Sequence, residues 1–168
     1  LVLGGVIALL CILASGGGLF AGFEYFLGDQ LISSIGANNE IVIIAIDDES
    51  IGKIGQWPWP RAEYAELLEI LADNPPKIIG IDVLFSEESR LGKRDDDTFA
   101  KALTLSSLVP IKIVLASRES DGVVPLSKFL ESENVSRGEV NLLVDPDGIV
   151  RRANLDNSFA SKLATSTY

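Results

Sequence analysis

Three short runs rich in β-branched residues, Ile41–Ile46 (IVIIAI), Ile78–Phe85 (IIGIDVLF) and Pro110–Ala116 (PIKIVLA), alternate with two stretches whose apolar residues recur at helical spacing. The runs are nearly continuous, as strands buried on both faces are. One intervening stretch runs from about Pro60 to Ala72 and turns Tyr64, Leu67, Leu68 and Leu71 to one side. The other runs from about Asp96 to Leu105 and does the same with Phe99, Ala102 and Leu103. Asp73-Asn-Pro-Pro76 ends the first helix, because proline cannot continue it and restricts its predecessor. The order strand, helix, strand, helix, strand predicts an α/β fold, a mostly parallel sheet flanked by helices with right-handed crossovers. Near the C-terminal end, Gly138–Val144 and Ile149–Leu155 bracket Asp145-Pro-Asp-Gly148, whose residues suit a tight turn, so a β-hairpin is expected there.

The first 35 residues follow another pattern. Leu1 to Phe23 holds no charged residue. A helix of that length rises about 35 Å, enough to cross a bilayer. A membrane anchor is the expectation; a cleaved signal peptide, with Leu9–Leu13 as its apolar core and Ala14-Ser15-Gly16 as its cleavage site, is the alternative. The downstream flank carries Glu24, Asp29 and Glu40 and no Lys or Arg before Lys53, which marks it as the exported side. Phe20, Phe23, Leu27 and Leu31 share one helical face with Phe26 beside them, so the helix is expected to continue as a stalk to about Ile35. That apolar stripe packs either on its own domain or on the stalk of a second copy, making a parallel homodimer. The organisation expected is thus a membrane and stalk helix over residues 1–35, then a sensory domain over 36–168. With no methionine in it, the sequence reads as a piece of a longer protein.

Composition excludes several function classes. The 168 residues carry a net charge of −10 and no histidine, which argues against nucleic acid as a partner. Cys11 is the only cysteine and lies in the apolar run, so an internal disulfide and a zinc cluster are ruled out and thiol catalysis is not expected. Neither a Gly-rich phosphate loop with Lys and Ser or Thr nor a nucleophile elbow is present. No cofactor and no catalytic residue is expected of this chain.

Both tryptophans fall within Gly55-Gln-Trp-Pro-Trp-Pro-Arg61. Pro60 suits the first position of a helix, where its missing N–H has no intrahelical partner. Each proline holds the residue before it extended, so Trp57 and Trp59 are presented at fixed angles near the end of the first strand. They form either a plug over the sheet or an aromatic wall of a ligand cleft. Asp47 and Asp48 follow the first strand, and Asp82 interrupts the second. Carboxylates at the carboxyl end of a parallel sheet suit a cation or an amine-bearing ligand. A charge inside a buried strand must be paired or strongly hydrogen-bonded, and Arg61 is the expected partner of Asp82, with loop N–H groups as another. Asp95-Asp-Asp-Thr98 reads as the N-terminus of its own helix. Leu142-Leu-Val-Asp-Pro-Asp-Gly-Ile-Val150 resembles the nucleophile motif of haloacid-dehalogenase-type phosphatases. That motif opens its fold, however, and Arg151-Arg152 after it fits an exposed hairpin strand better.

Taken in order, Ile41–Ser50 (IVIIAIDDES), Gly55–Arg61 (GQWPWPR) with Tyr64 and Ala65, Ile79–Glu87 (IGIDVLFSE), Asp96–Leu103 (DDTFAKAL) and Gly138–Arg152 (GEVNLLVDPDGIVRR) resemble the type-two CHASE family of extracellular sensory domains. The likeness covers residues 20–168, and a preceding membrane helix fits it. In that family the domain normally continues through further strands and three membrane helices. The resemblance implies a bacterial receptor module in the cell membrane with its soluble part outside the cytoplasm. It also implies an output across the membrane, most often an adenylate or guanylate cyclase, otherwise a histidine kinase, a diguanylate cyclase or a Ser/Thr kinase. It brings no established ligand, small molecule or protein. The matching positions that could line a site are Asp47, Trp57, Trp59, Arg61, Asp82 and Glu87. An extracytoplasmic enzyme and a structural assembly domain are the competing readings.

Overall fold

The computed structural model describes residues 21–31, 40–152 and 156–165. The chain divides into two units, Leu1–Ala45 and Ile46–Tyr168. In the first, helix α1 spans Ala21–Leu31, and Phe26 and Leu27 are exposed. Most of the expected membrane segment and the expected end of the stalk at Ile35 lie outside the described residues. Among the described residues no helix is long and apolar enough to cross a membrane.

The expected first strand is not one. Ile41–Ile46 joins no ladder, and Val42 and Ile43 are 83% and 85% exposed. Strand propensity is realised only where an edge is paired and a face buried, and no described strand pairs with this run.

The second unit opens with helix α2, Asp48–Ile54, then α3, Arg61–Ala72, and the edge strand β1, Ile78–Ile81. Helix α4, Lys93–Leu105, crosses over to the central strand β2, Lys112–Ser117. The third strand, β3, is Val135–Glu139. The order is β1-β2-β3, with both pairs parallel and Ile81 beside Leu115 beside Arg137. The parallel sheet with helical crossover is therefore present, but its third member is Val-Ser-Arg-Gly-Glu139 instead of Ile41–Ile46. This strand carries one buried β-branched residue, Val135, and gave little pattern to read. The hairpin is where it was expected but shorter, with β4 at Leu143–Val144 and β5 at Val150–Arg152. Its turn closes through Gly148 N–H donating to the Asp145 carbonyl at 2.8 Å. The positive φ of Gly148, 84°, is one a side chain would resist. A last helix, α5, spans Phe159–Thr165.

Alternation along the strands sorts side chains onto two faces. Ile79, Ile81, Ile113, Leu115 and Val135 point to one face and form the core with Tyr64, Ala65 and Leu68 of α3 and Phe99, Ala102 and Leu103 of α4. At its centre Phe85, Phe99 and Phe129 are fully buried, with ring centroids 4.9 Å apart for Phe85 and Phe99 and 5.1 Å for Phe99 and Phe129. Gly80, Val114, Ala116 and Gly138 take the other face, which carries α5. A Cβ at Gly138 would stand 2.5 Å from the Phe159 Cα and 2.9 Å from its nitrogen. The helix backbone must move to admit it, whereas Gly80 faces the flexible ends of Leu163 and Phe159. Gly138→Ala is therefore expected to cost about 1–3 kcal/mol, as overpacking does, and more than Gly80→Ala. Urea melts of the two variants check the order.

Candidate functional site

The segment from Asp47 to Arg61 joins the two halves of the site. Asp47 is the N-cap of α2: its Oδ1 accepts from the Ser50 N–H at 2.9 Å and from the Ser50 hydroxyl at 2.7 Å. These bonds, the hydroxyl's first, hold the Asp47 carboxyl below its usual value. Asp48 and Glu49 in the first turn and Lys53 in the last suit the helix dipole, and Gly55 ends the helix at φ 119°. The signature Asp-x-x-Ser with Gly beyond is in the sequence, but it follows an apolar run with the composition of a strand.

Beyond Gly55 the chain turns through a cis Trp57–Pro58 bond. Trp59 is half-buried against the core, and its Nε1–H donates to the Gly55 carbonyl at 2.8 Å. Trp57 remains 39% exposed, its ring centroid 6.0 Å from that of Trp59. One tryptophan thus packs and the other faces outward. Pro60, expected at the first helical position, is the N-cap instead, with an extended ψ of 148° and no side-chain hydrogen bond to offer.

Asp95 supplies that cap from another helix. Its Oδ2 accepts from the Arg61 N–H at 2.8 Å and its Oδ1 from the Ala62 N–H at 3.1 Å. The Ser89 hydroxyl donates to it as well, at 2.5 Å. Burial pushes this carboxyl up, but the hydrogen bonds and the Arg61 charge outweigh it and hold Asp95 below the usual carboxylate value. The acidic run lies in the first turn of its own helix, as the sequence reading has it, but the N–H groups Asp95 caps are those of the neighbouring helix.

Arg61 does not meet Asp82. Its Nε donates to Asp96 Oδ1 at 3.2 Å, its Nη2 to the Glu87 carbonyl at 3.0 Å, and its Cζ lies 4.6 Å from the centre of the Phe85 ring. The Asp96 side chain is fully buried and that of Arg61 is 10% exposed. The reason for the exchange is that β1 ends at Ile81, so Asp82 stands outside the ladder, exposed to water, and needs no counter-charge. The first turns of α3 and α4 lie side by side, and their charges neutralise each other there. Beside Arg61, burial pushes the Tyr64 hydroxyl up to about 12, against the opposing Arg61 charge.

Trp57 and Asp82 come together at a cleft of about 320 Å³ whose other walls are Ile46, Ile51 and Val83. The Asp82 carboxylate makes no hydrogen bond or ion pair among the described residues. Of the other residues read from the sequence, Asp47 caps the helix that carries Ile51, Trp59 braces Trp57, and Arg61 is committed to Asp96. Glu87 gives its backbone carbonyl to Arg61 and exposes its carboxylate. The apolar walls were not singled out in the sequence, where isoleucine and valine beside strands read simply as core. Among the described residues no group of His, Cys, Asp or Glu could hold a metal ion. In the hairpin, Asp147 and Asp145 are bound instead by Arg151, at 2.8 and 3.3 Å, which folds back on the turn and is not an exposed strand residue.

A family model described as the CHASE2 domain matches residues 5–167. No curated protein and no solved structure matches the chain. Because the match runs through the α2 cap, the tryptophan turn, β1 and the hairpin alike, the likeness carried by those segments is one of descent: the chain belongs to the CHASE2 family, extracellular sensory domains of signalling receptors that are not themselves catalytic.

Proposed function

We propose that this chain is the ligand-sensing part of a membrane-anchored bacterial receptor that controls a cytoplasmic adenylate or guanylate cyclase, and that the ligand enters the cleft between Trp57 and Asp82. The observation that carries the reading is the pairing of an outward-facing tryptophan with a carboxylate that has no partner among the described residues, at the carboxyl end of β1, the end of a parallel sheet at which ligands bind. The uncharged Leu1–Phe23 run supports the anchor and the acidic flank its orientation. The exposed Leu27 on α1 supports pairing of two stalks into a homodimer. A histidine-kinase, diguanylate-cyclase or Ser/Thr-kinase output would use the same sensory part.

The test is a reporter enzyme that works only outside the cytoplasm, fused after residue 50. It should be active and pellet with membranes, and Leu27→Cys in the same fusion, with Cys11 replaced by serine, should crosslink to itself. Activity on the cytoplasmic side would overturn the proposed orientation. Absence of the crosslink would overturn the stalk dimer.

A further inference from the structure

We propose that the cleft takes a small organic ammonium ion, its charged head between the Trp57 ring and the Asp82 carboxylate and its alkyl body against Ile46, Ile51 and Val83. This inference rests on the reading of the cleft as the ligand site and names the ligand's chemistry.

The lining residues are one aromatic, Trp57, three aliphatic, Ile46, Ile51 and Val83, and one acidic, Asp82. An anion entering it would meet Asp82 with no positive group to offset the repulsion. The nearby cations are engaged: Lys53 on α2 pairs with Glu49 at 2.6 Å, and Arg61 is buried against Asp96. A neutral ligand covering the cleft would strip water from a carboxylate that has no other partner among the described residues, and an unpaired buried charge is costly. A cation removes that cost and gains from the ring face, to which ammonium groups are drawn. A divalent metal is a poor fit, because Ca²⁺ and Mg²⁺ require several oxygen ligands and the cleft presents one carboxylate. An organic ammonium needs only one counter-charge, and its carbon chain uses the apolar walls that a hydrated metal cannot. The volume of about 320 Å³ lies at the small end of ligand pockets, and the net charge of −10 favours the approach of a cation.

The probe is n-butylammonium chloride, titrated by calorimetry into the full chain, with sodium butyrate, n-butanol and calcium chloride as comparisons of charge and shape. Butylammonium should bind more tightly than the other three. Asp82→Asn should weaken it by about tenfold or more and Trp57→Leu by roughly three- to thirtyfold. Asp82 is exposed and without a partner among the described residues, so its variant should keep the parent's urea midpoint and report on binding alone. Absence of butylammonium binding overturns the inference, as does equal binding of butyrate or calcium, or undiminished binding in Asp82→Asn. Butylammonium binding that depends on both residues but leaves the output of the whole receptor unchanged supports the ammonium site and overturns the sensory reading beneath it.

Discussion

Arg61→Ala should destabilise the domain by about 3–5 kcal/mol, the usual loss when one partner of a buried ion pair is removed and the other stays charged. The fully buried Asp96 carboxylate would keep its bonds from the Ser89 N–H, at 3.1 and 3.3 Å, but lose its only ion-pair partner among the described residues. The Glu87 carbonyl would lose its donor and the Phe85 ring its cation. The choice of partner can be read from two double mutants. Arg61→Ala with Asp96→Asn should lose clearly less than the two single losses added, because the second change removes the stranded charge. Arg61→Ala with Asp82→Asn should be additive, since Asp82 shares no bond with Arg61. Urea midpoints decide it. Coupling at Asp82 and none at Asp96 would mean that the pair was assigned to the wrong carboxylate.

Phe99→Ala should cost about 3–5 kcal/mol through lost burial and the cavity left behind. Phe99 is the hinge of the aromatic cluster, with Tyr64, Phe85 and Phe129 rings centred 5.9, 4.9 and 5.1 Å away. It joins α4 to α3, to the segment after β1 and to the segment before β3, so no single element can move in to fill the space. Phe99→Leu, which keeps most of the volume, should lose markedly less. Equal urea midpoints for Phe99→Ala and the parent would show that the cluster is not the centre of the core.

Helical spacing gave α3 and α4 with the side chains they bury, because Tyr64, Leu68, Phe99 and Leu103 have to share a side whatever they pack against. The β1-α4-β2 unit was legible for the same reason. One strand assignment failed and one strand was missed, for opposite physical causes. Ile41–Ile46 has the composition of a strand but no described partner, and composition does not supply one. Val-Ser-Arg-Gly-Glu139 lacks that composition, but it has β2 beside it and α5 over Gly138, and the neighbours decide. At the site, Asp82 could be picked out by residue type and position at a strand end, and Trp57 by residue type alone, since the run it was placed beside is not a strand. Their meeting in one cleft depends on the turn between Gly55 and Pro60. The partner of Arg61 could not be read at all, because two carboxylates, Asp82 and Asp96, both lay in reach of a reasonable guess, and only the place where β1 stops distinguishes them.

The cap that Asp95 places on Arg61 and Ala62 ties a local boundary to a residue 34 positions down the chain. Helices are usually begun by their own preceding residue, so that their start can be written into a short peptide. Here the preceding residue is proline, and the first turn is completed only when α4 is already seated. The segment 61–72 is therefore not a module that could be lifted out and expected to keep its ends. Its secondary structure and its docking are a single event, and the aspartates of α4 act as its folding instructions supplied from elsewhere in the sequence.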